Sequence, residues 1–314
     1  MTHSPPAALV TGGAGFIGSH IVDAFLAAGY RVSVIDSLRT GRRENLNPAA
    51  TFHEIDLRDA DAVERVLAAE QPAVISHQAA AADVRDSLAH PQEYAQINIV
   101  GTLNLLQAAN AHGVSKIVFA STGGAVYGNP GHLPATEETP AAPLDPYGVS
   151  KRACEYYLES NRLNFGLDYC ALRYGNVYGP RQNGQGEAGV VAIFTERMLA
   201  GAPVLIHGDG QNQRDFVFGP DVARANLLAA TRGSGVYNIG TGVGTDINTV
   251  FARLAALTGY ARPAERGPAK AGEVRATWMA CAKADRELGW RPMIGLADGL
   301  AQTVCHYRGP AGTA

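Results

Sequence analysis

Thr11-Gly12-Gly13-Ala14-Gly15-Phe16-Ile17-Gly18-Ser19-His20 is the stretch on which the fold turns. It follows the apolar run Ala8-Leu9-Val10, which reads as a strand. It opens a segment with Ile17, Ile21, Ala24 and Phe25 on one helical stripe, stopped by Gly29. Glycines at 12, 15 and 18 follow G-x-x-G-x-x-G. Between a strand and a helix, Gly12 permits the tight turn, Gly15 lets a pyrophosphate approach the backbone, and Gly18 lets the helix pack close to the sheet. The helix, with Phe16 and Ile17 in its first turn, then offers free N–H groups and a partial positive charge to that anion. Alone, the pattern also occurs in ordinary strand–helix turns; its setting gives it weight.

Outward from this turn, short β-branched runs alternate with helical patterns. Residues 31–35, 51–55, 73–76, 116–120 and 168–173 read as strands, and 59–69, 92–111 and 146–164 as helices. Such alternation predicts an α/β fold, a Rossmann-type doubly wound parallel sheet covered on both faces. The rhythm breaks after Asn176. Gly and Pro cluster over 179–189, then come a helix at 190–200, a short strand at 204–207 and a helix at 247–257. These predict a smaller, interleaved α/β substrate-binding lobe made of 177–212 and 241–314. The main domain is expected over 1–176, with 213–240 returning to it through a strand at 236–239.

Composition narrows the function. The chain has 314 residues, 46% of them hydrophobic and 18% charged, with a net charge of −3. That is an ordinary balance for a globular protein, without the basic excess of a nucleic-acid binder. The four cysteines, at 154, 170, 281 and 305, form no C-x-x-C pair, and the nine histidines have no metal-ligand spacing. A reducing cytoplasm and no metal are therefore expected. Met1 to Pro6 lacks a basic segment leading into an apolar one, and no run of apolar residues is long enough to span a bilayer, so neither a signal peptide nor a membrane partner is expected.

Asp36 closes the second strand about 20 residues past the glycines, where a carboxylate accepts hydrogen bonds from an adenosine ribose. The same charge repels a 2′-phosphate, which favours NAD. Arg39, Arg42 and Arg43 follow, and any of them could neutralise such a phosphate, so NADP stays open. Asp56-Leu57 lies where adenine is expected; Asp56 also reads as a helix N-cap. Tyr147-Gly148-Val149-Ser150-Lys151 sets a phenol and an ammonium four apart, on one face of a helix. An unperturbed tyrosine ionises near about pH 10, so half-ionisation at neutral pH asks for roughly 4 kcal/mol, which Lys151 and a cationic nicotinamide can supply together. Ser121-Thr122 ends the fifth strand and points its hydroxyls at the same crevice, although a plain turn before Gly123-Gly124 would use the same residues.

With Asn98-Ile99-Val100-Gly101-Thr102, Ala125-Val126-Tyr127-Gly128, Arg173 to Arg181 (RYGNVYGPR), Gly208-Asp209-Gly210, Arg214-Asp215-Phe216 and Tyr237 to Gly242 (YNIGTG), these motifs resemble the extended short-chain dehydrogenase/reductase family over nearly the whole chain. Within it the sequence is most similar to UDP-sugar 4-epimerases. The resemblance implies NAD as cofactor, a UDP-hexose as substrate and a homodimer. It makes Tyr147 the general base, Lys151 its tuner, and Thr122 or Ser121 the third hydroxyl. It sets Gln78, Ala79, Ala80, Asn98 and Tyr174 near the cofactor, and Asn176, Arg214, Lys270, Glu273 and Arg275 near the UDP. Thr277 falls at a gate for the sugar 2-substituent, with Trp278 the competing wall. Three departures stand out. Counting back from Tyr127 puts the catalytic hydroxyl at Gly123, which has none; Ala82 stands where the family often has lysine; and Lys270 stands where it has arginine. A dehydratase is disfavoured because Gly123-Gly124 replaces its acidic pair. A UDP-glucuronate epimerase or decarboxylase and a non-catalytic NAD(P)-sensing module are the remaining alternatives.

Overall fold

The computed structural model describes residues 5–184, 189–270 and 272–309. The reading of Met1 to Pro6 thus falls mostly outside the described residues, and the Gly/Pro cluster over 179–189 is described only in part.

Thirteen strands are formed among the described residues: β1 (Ala7–Thr11), β2 (Arg31–Asp36), β3 (Thr51–Glu54), β4 (Val74–His77), β5 (Lys116–Thr122), β6 (Asp168–Tyr174), β7 (Asn176–Tyr178), β8 (Leu205–His207), β9 (Gln213–Phe218), β10 (Gly235–Ile239), β11 (Gly244–Asp246), β12 (Glu265–Gly267) and β13 (Ala276–Thr277). Seven make one parallel sheet in the order β10-β6-β5-β4-β1-β2-β3. Strand order reverses between β1 and β4, where an open α/β sheet leaves a crevice at the strand ends. Alternation along each strand fills both faces. Ala8, Val10, Val32, Val34, Val118, Cys170 and Leu172 pack against Ile21, Phe25 and Val222 on one side. Leu9, Ile35, Ile117, Phe119 and Ala171 pack against Val63, Leu67, Leu105 and Leu158 on the other.

A second sheet, β11-β9-β13 with β7 beside β9, and the pair β12-β8 form the smaller lobe's strands. Tyr178, Phe194, Met198, Ile206, Phe216, Phe218, Val250, Leu254, Leu300 and Val304 are its core, built with the helices Val190–Leu199, Ile247–Thr258 and Leu296–Arg308.

Three features differ from expectation. Within 213–240, only β10 joins the main sheet, and the helix Gly219–Ala229 packs on Phe16–Ala27. β9 lies in the second sheet. Within 241–314, Ala284, Leu288 and Trp290 pack into the main sheet's core, with the Trp290 indole donating to the Asp221 carbonyl at 2.9 Å. Finally, the helix expected over 92–111 is interrupted by a π-helical turn, Ala95–Val100. There the Asn98 carbonyl accepts from the Thr102 hydroxyl at 2.5 Å and the Cys154 thiol at 3.2 Å. Such bulges are frequent at functional sites.

Asp215, 1% exposed, pins the lobes together. From β9 its carboxylate accepts from the Thr241 N–H and hydroxyl, both at 2.6 Å, the Gly242 N–H at 3.1 Å and the Met279 N–H at 3.3 Å.

Candidate active site

A cleft of about 900 Å³ runs along the strand ends from Asp36 and Asp56 to Tyr147 and Lys151. Its floor is the glycine turn. Gly12 has φ +70°, and a Cβ there would lie 2.7 Å from the Ala79 nitrogen; a Cβ on Gly18 would lie 2.0 Å from the Gly12 carbonyl oxygen. The turn therefore has room for no side chain at either place. The helix begins at Gly15 with no side-chain cap and no acid in its first turn, which leaves its amino end open to an anion. Gly12, Gly15, Phe16, Ile17 and Gly18 all line the cleft, as do Gln78, Ala79, Ala80 and Leu57. This shape and donor set fit a dinucleotide.

At the far end, Asp36 is 8% exposed, and its carboxylate accepts from the Ala14 N–H at 3.0 Å and the Leu38 N–H at 2.8 Å. Burial raises its pKa against those two donors. Asp56 is held by a bidentate pair with Arg58, which lowers its pKa. It does not cap the following helix: Asp59 does, accepting from the Ala62 N–H at 3.0 Å. Each nearby arginine has an acidic partner: Arg39 has Glu93 at 3.0 Å, Arg42 has Glu44 at 3.4 Å, and Arg43 has Glu54.

Asn98 lies beneath the cleft, 3% exposed. Its amide accepts from the Ala81 N–H at 2.8 Å and donates to the Ala81 carbonyl at 2.9 Å and the Ser150 hydroxyl at 2.8 Å. Both its N–H donors are used within the protein, so its part is to fasten the loop after β4 to the helix that carries Tyr147. Two further supports escaped the sequence reading. His77, buried and neutral with its pKa pushed down to about 3, accepts from the Thr11 hydroxyl at 2.7 Å and donates to Thr102 at 2.9 Å. Asn226, fully buried, joins Ser76, Gln78 and the Tyr174 hydroxyl. Both bridge residues far apart in sequence, and no local pattern marks them.

The helix Pro146–Phe165 is started by proline and capped by Asp145, which accepts from the Gly148 N–H at 2.7 Å. It presents Tyr147 and Lys151 to the cleft. The Lys151 ammonium donates to the Ala120 carbonyl at 2.8 Å and lies 4.8 Å from the centre of the Phe119 ring. Burial lowers its pKa to about 8. Ser121 and Thr122, neighbours on β5, differ in what their hydroxyls do. Ser121 lines the cleft and donates to Glu155 at 2.6 Å. Glu155 is itself clamped by Arg173 at 2.7 Å and Arg152 at 2.6 Å. Thr122 caps the short helix Gly123–Val126, accepting from the Ala125 N–H at 3.2 Å, and its proton has no acceptor among the described residues. Gly123 is glycine for a packing reason: a Cβ there would sit 1.8 Å from the Met279 sulfur.

On the smaller lobe, Lys270, Glu273 and Arg275 meet His207, Gly208, Asp209 and Asn212 around a hollow of about 360 Å³. Arg214 reaches Glu273 at 3.4 Å. Arg275 is engaged by Asp209 at 2.8 Å. Asn176, exposed at the start of β7, lines neither cavity. Thr277 is buried and in register with Arg214, so both side chains leave the same sheet face. Trp278 lies on the other face, over Gly244.

Because folding depresses the Lys151 pKa, its charge opposes folding below about pH 8, by roughly 3 kcal/mol, and the penalty fades as pH rises toward the unfolded lysine value. Lys151→Met should therefore be at least as stable as the native protein near neutral pH, and should lose the native protein's gain in stability at alkaline pH. Urea midpoints at the two pH values check this; a lower midpoint for the variant at neutral pH would contradict it.

A family model described as the NAD dependent epimerase/dehydratase family matches residues 8–240. The UDP-glucose 4-epimerase of Mycolicibacterium smegmatis is 42% identical, over 96% of this chain and 98% of that one. The crystal structure of the Thermotoga maritima UDP-glucose 4-epimerase with UDP-glucose superposes with a TM-score of 0.95 at 47% identity, covering 96% of this chain and 98% of that one. The Thermus thermophilus UDP-glucose 4-epimerase in complex with NAD gives 0.92 at 45%, covering 97% and 99%. Together with the glycine turn and the Tyr147–Lys151 pair, these likenesses show that the chain belongs to the NAD dependent epimerase/dehydratase family.

Proposed function

We propose that this protein is an NAD-dependent epimerase that inverts C4 of a UDP-hexose, interconverting UDP-glucose and UDP-galactose through a 4-keto sugar. The observation that carries the reading is the setting of Tyr147 and Lys151, at the end of a dinucleotide cleft and opposite a strand end, Thr122-Gly123-Gly124, that bears no acid to expel water. It is supported by relatives whose structures hold UDP-glucose and NAD.

In this reading Gly12 to Gly18 hold the pyrophosphate, Asp36 the adenosine ribose, Asp56 and Leu57 the adenine end, and Gln78 to Ala80 with Tyr174 the rest of the cofactor. The Asp36 carboxylate at the ribose end favours NAD over NADP, since its charge repels a 2′-phosphate. What NAD supplies when bound is a two-electron acceptor beside C4, regenerated when the electrons return to the sugar's opposite face. The Tyr147 phenolate takes the C4 hydroxyl proton and later returns it. Lys151 stabilises that phenolate, and Thr122, whose proton is uncommitted, shares a hydrogen bond with the sugar oxygen. Arg214, Lys270, Glu273 and Arg275, with Asn176 nearby, hold the UDP, so the keto sugar is free to turn over. The main sheet with its helices carries the cofactor, and the smaller lobe carries the nucleotide sugar.

A homodimer and a cytoplasmic setting belong to the same proposal. The four unpaired cysteines fit the latter. Supporting the former, Val149, Tyr156 and Leu163 stand seven residues apart on one helix, 51%, 62% and 68% exposed, beside Leu88 at 63% on a neighbouring helix. An apolar stripe of that period suits a second copy of itself.

Incubation with UDP-galactose alone should yield UDP-glucose, and Tyr147→Phe should slow this roughly 10²–10⁴-fold while NAD stays bound. Formation of a dehydrated or decarboxylated sugar, or an unimpaired variant, would overturn the assignment. If Thr277 is the gate, the native enzyme also interconverts the 2-acetamido UDP-hexoses, and Thr277→Tyr suppresses that reaction while sparing UDP-galactose; equal slowing of both would remove Thr277 from the pocket wall. Sedimentation should show a dimer that Tyr156→Glu with Leu163→Glu converts to a monomer, and a monomeric native protein at micromolar concentration would contradict the stripe's role.

A further inference from the structure

We infer that Gly179–Asn183 is a clasp over the NAD cleft, with Arg181 its cofactor-facing cation and the carboxy-terminal helix its fastening. This rests on the reading of the cleft as an NAD site. Arg181, Gln182 and Asn183 line that cleft together with the glycine turn. They follow β7 and lead toward the helix Val190–Leu199, so this stretch of the smaller lobe reaches over to the cleft.

Both lobes grip this segment. From the helix Phe16–Ala27, whose amino end faces the anion site, His20 donates from Nε2 to the Pro180 carbonyl at 2.9 Å, and Asp23 pairs with the Arg181 guanidinium at 2.7 Å. From the helix Leu296–Arg308, the His306 Nε2 accepts the Arg181 N–H at 3.1 Å, and the Tyr307 hydroxyl donates to the Gln182 carbonyl. Arg181 adopts φ +67°, a left-handed conformation that side chains other than glycine avoid. The conformation persists because its N–H, its side chain and the carbonyls on either side of it are each held by a different group.

In the cleft that carries the glycine turn, an arginine suits an anionic ligand. The other described cations lining the cleft are Arg39 and Arg42, paired with Glu93 and Glu44, and Lys151, at the nicotinamide end. Arg181 is the one paired with a residue of the phosphate-facing helix, Asp23 at the end of its second turn. Asp23 holds it in place without burying it, at 30% side-chain exposure. A dinucleotide lying along the glycine turn would find a guanidinium on its outer side, and its departure would require the clasp to lift. His306 and Tyr307 act through the clasp and are positioning residues.

The test is release of bound NADH, followed by its fluorescence after mixing with excess NAD. Arg181→Ala should release it roughly ten- to a hundred-fold faster, the effect of losing a charge-assisted contact. His306→Ala and Tyr307→Phe should each accelerate release about five- to ten-fold. His306→Gln, which keeps an acceptor at the same reach, should restore slow release, and excess NAD should restore the turnover that the helix variants lose. Unchanged release from Arg181→Ala, or lost turnover in Tyr307→Phe that excess NAD does not restore, would overturn the clasp. A native protein that binds no NADH would instead sink the reading of the cleft on which the clasp depends.

Discussion

A lysine ammonium with no carboxylate at ion-pair distance among the described residues sits 3% exposed at the strand ends, and it costs the protein stability. Lys151 is held by a carbonyl and a ring face, Ala120 and Phe119, both on β5. That arrangement works only if β5 and the helix Pro146–Phe165 keep a fixed separation. The buried group formed by Ser121, Glu155 and Arg173 does this one turn farther along the helix. Glu155 reaches back to Ser121 on β5 and to Arg173 on β6. The charged pair meant for stability thus lies behind the site, and the unpaired charge meant for chemistry lies in it. Removing one partner of such a buried pair is strongly destabilising, so this second group is as necessary to Lys151 as its own contacts.

The same economy governs the cofactor side. One amide, Asn98, joins the loop at Ala81 to Ser150, and Ser150 in turn donates to the Tyr147 carbonyl at 2.7 Å. The bulged turn around Asn98 lets this short side chain reach both. His77 connects the same bulge, through Thr102, to Thr11 at the root of the glycine turn. Cofactor floor and acid–base helix are therefore parts of one hydrogen-bonded body. The Asp215 carboxylate gathers two of the segments by which the chain passes between this body and the smaller lobe, at Thr241 and at Met279.

What could be read from the sequence was what is encoded locally. The glycine turn, Asp36 at a strand's end and the Tyr147–Lys151 spacing each lie within one or two elements, where chain geometry alone fixes the outcome. The parallel sheet was legible because most of its strands, β3 excepted, carry apolar residues buried on both faces. In the smaller lobe the helices at 190–199 and 247–258 and the strand at 205–207 could be read, but β7, β11, β12 and β13 could not, since they are two or three residues long and hold no period. Trp290 was expected in the smaller lobe and lies under the main sheet, because only the fold brings Asp221 to its N–H. Asp56 read as a cap because carboxylates before helices usually are, yet Asp59, three residues on, takes that place. Nor could Ser121 and Thr122 be told apart in the sequence: they differ in what lies opposite them, Glu155 for one and the Ala125 N–H for the other.

The chain crosses between its two bodies after Tyr174, again after Phe218, after Ile239, after Thr277 and after Trp290. A protein whose parts are threaded this way cannot be recombined as cassettes. Replacing the smaller lobe with a relative's would take several simultaneous junctions. New sugar preferences in such a scaffold must then arise by single substitutions on β9, β13 and the loops between them. Diversity within the fold should accordingly be recorded as scattered point changes, with no modular boundary to mark where one specificity was exchanged for another.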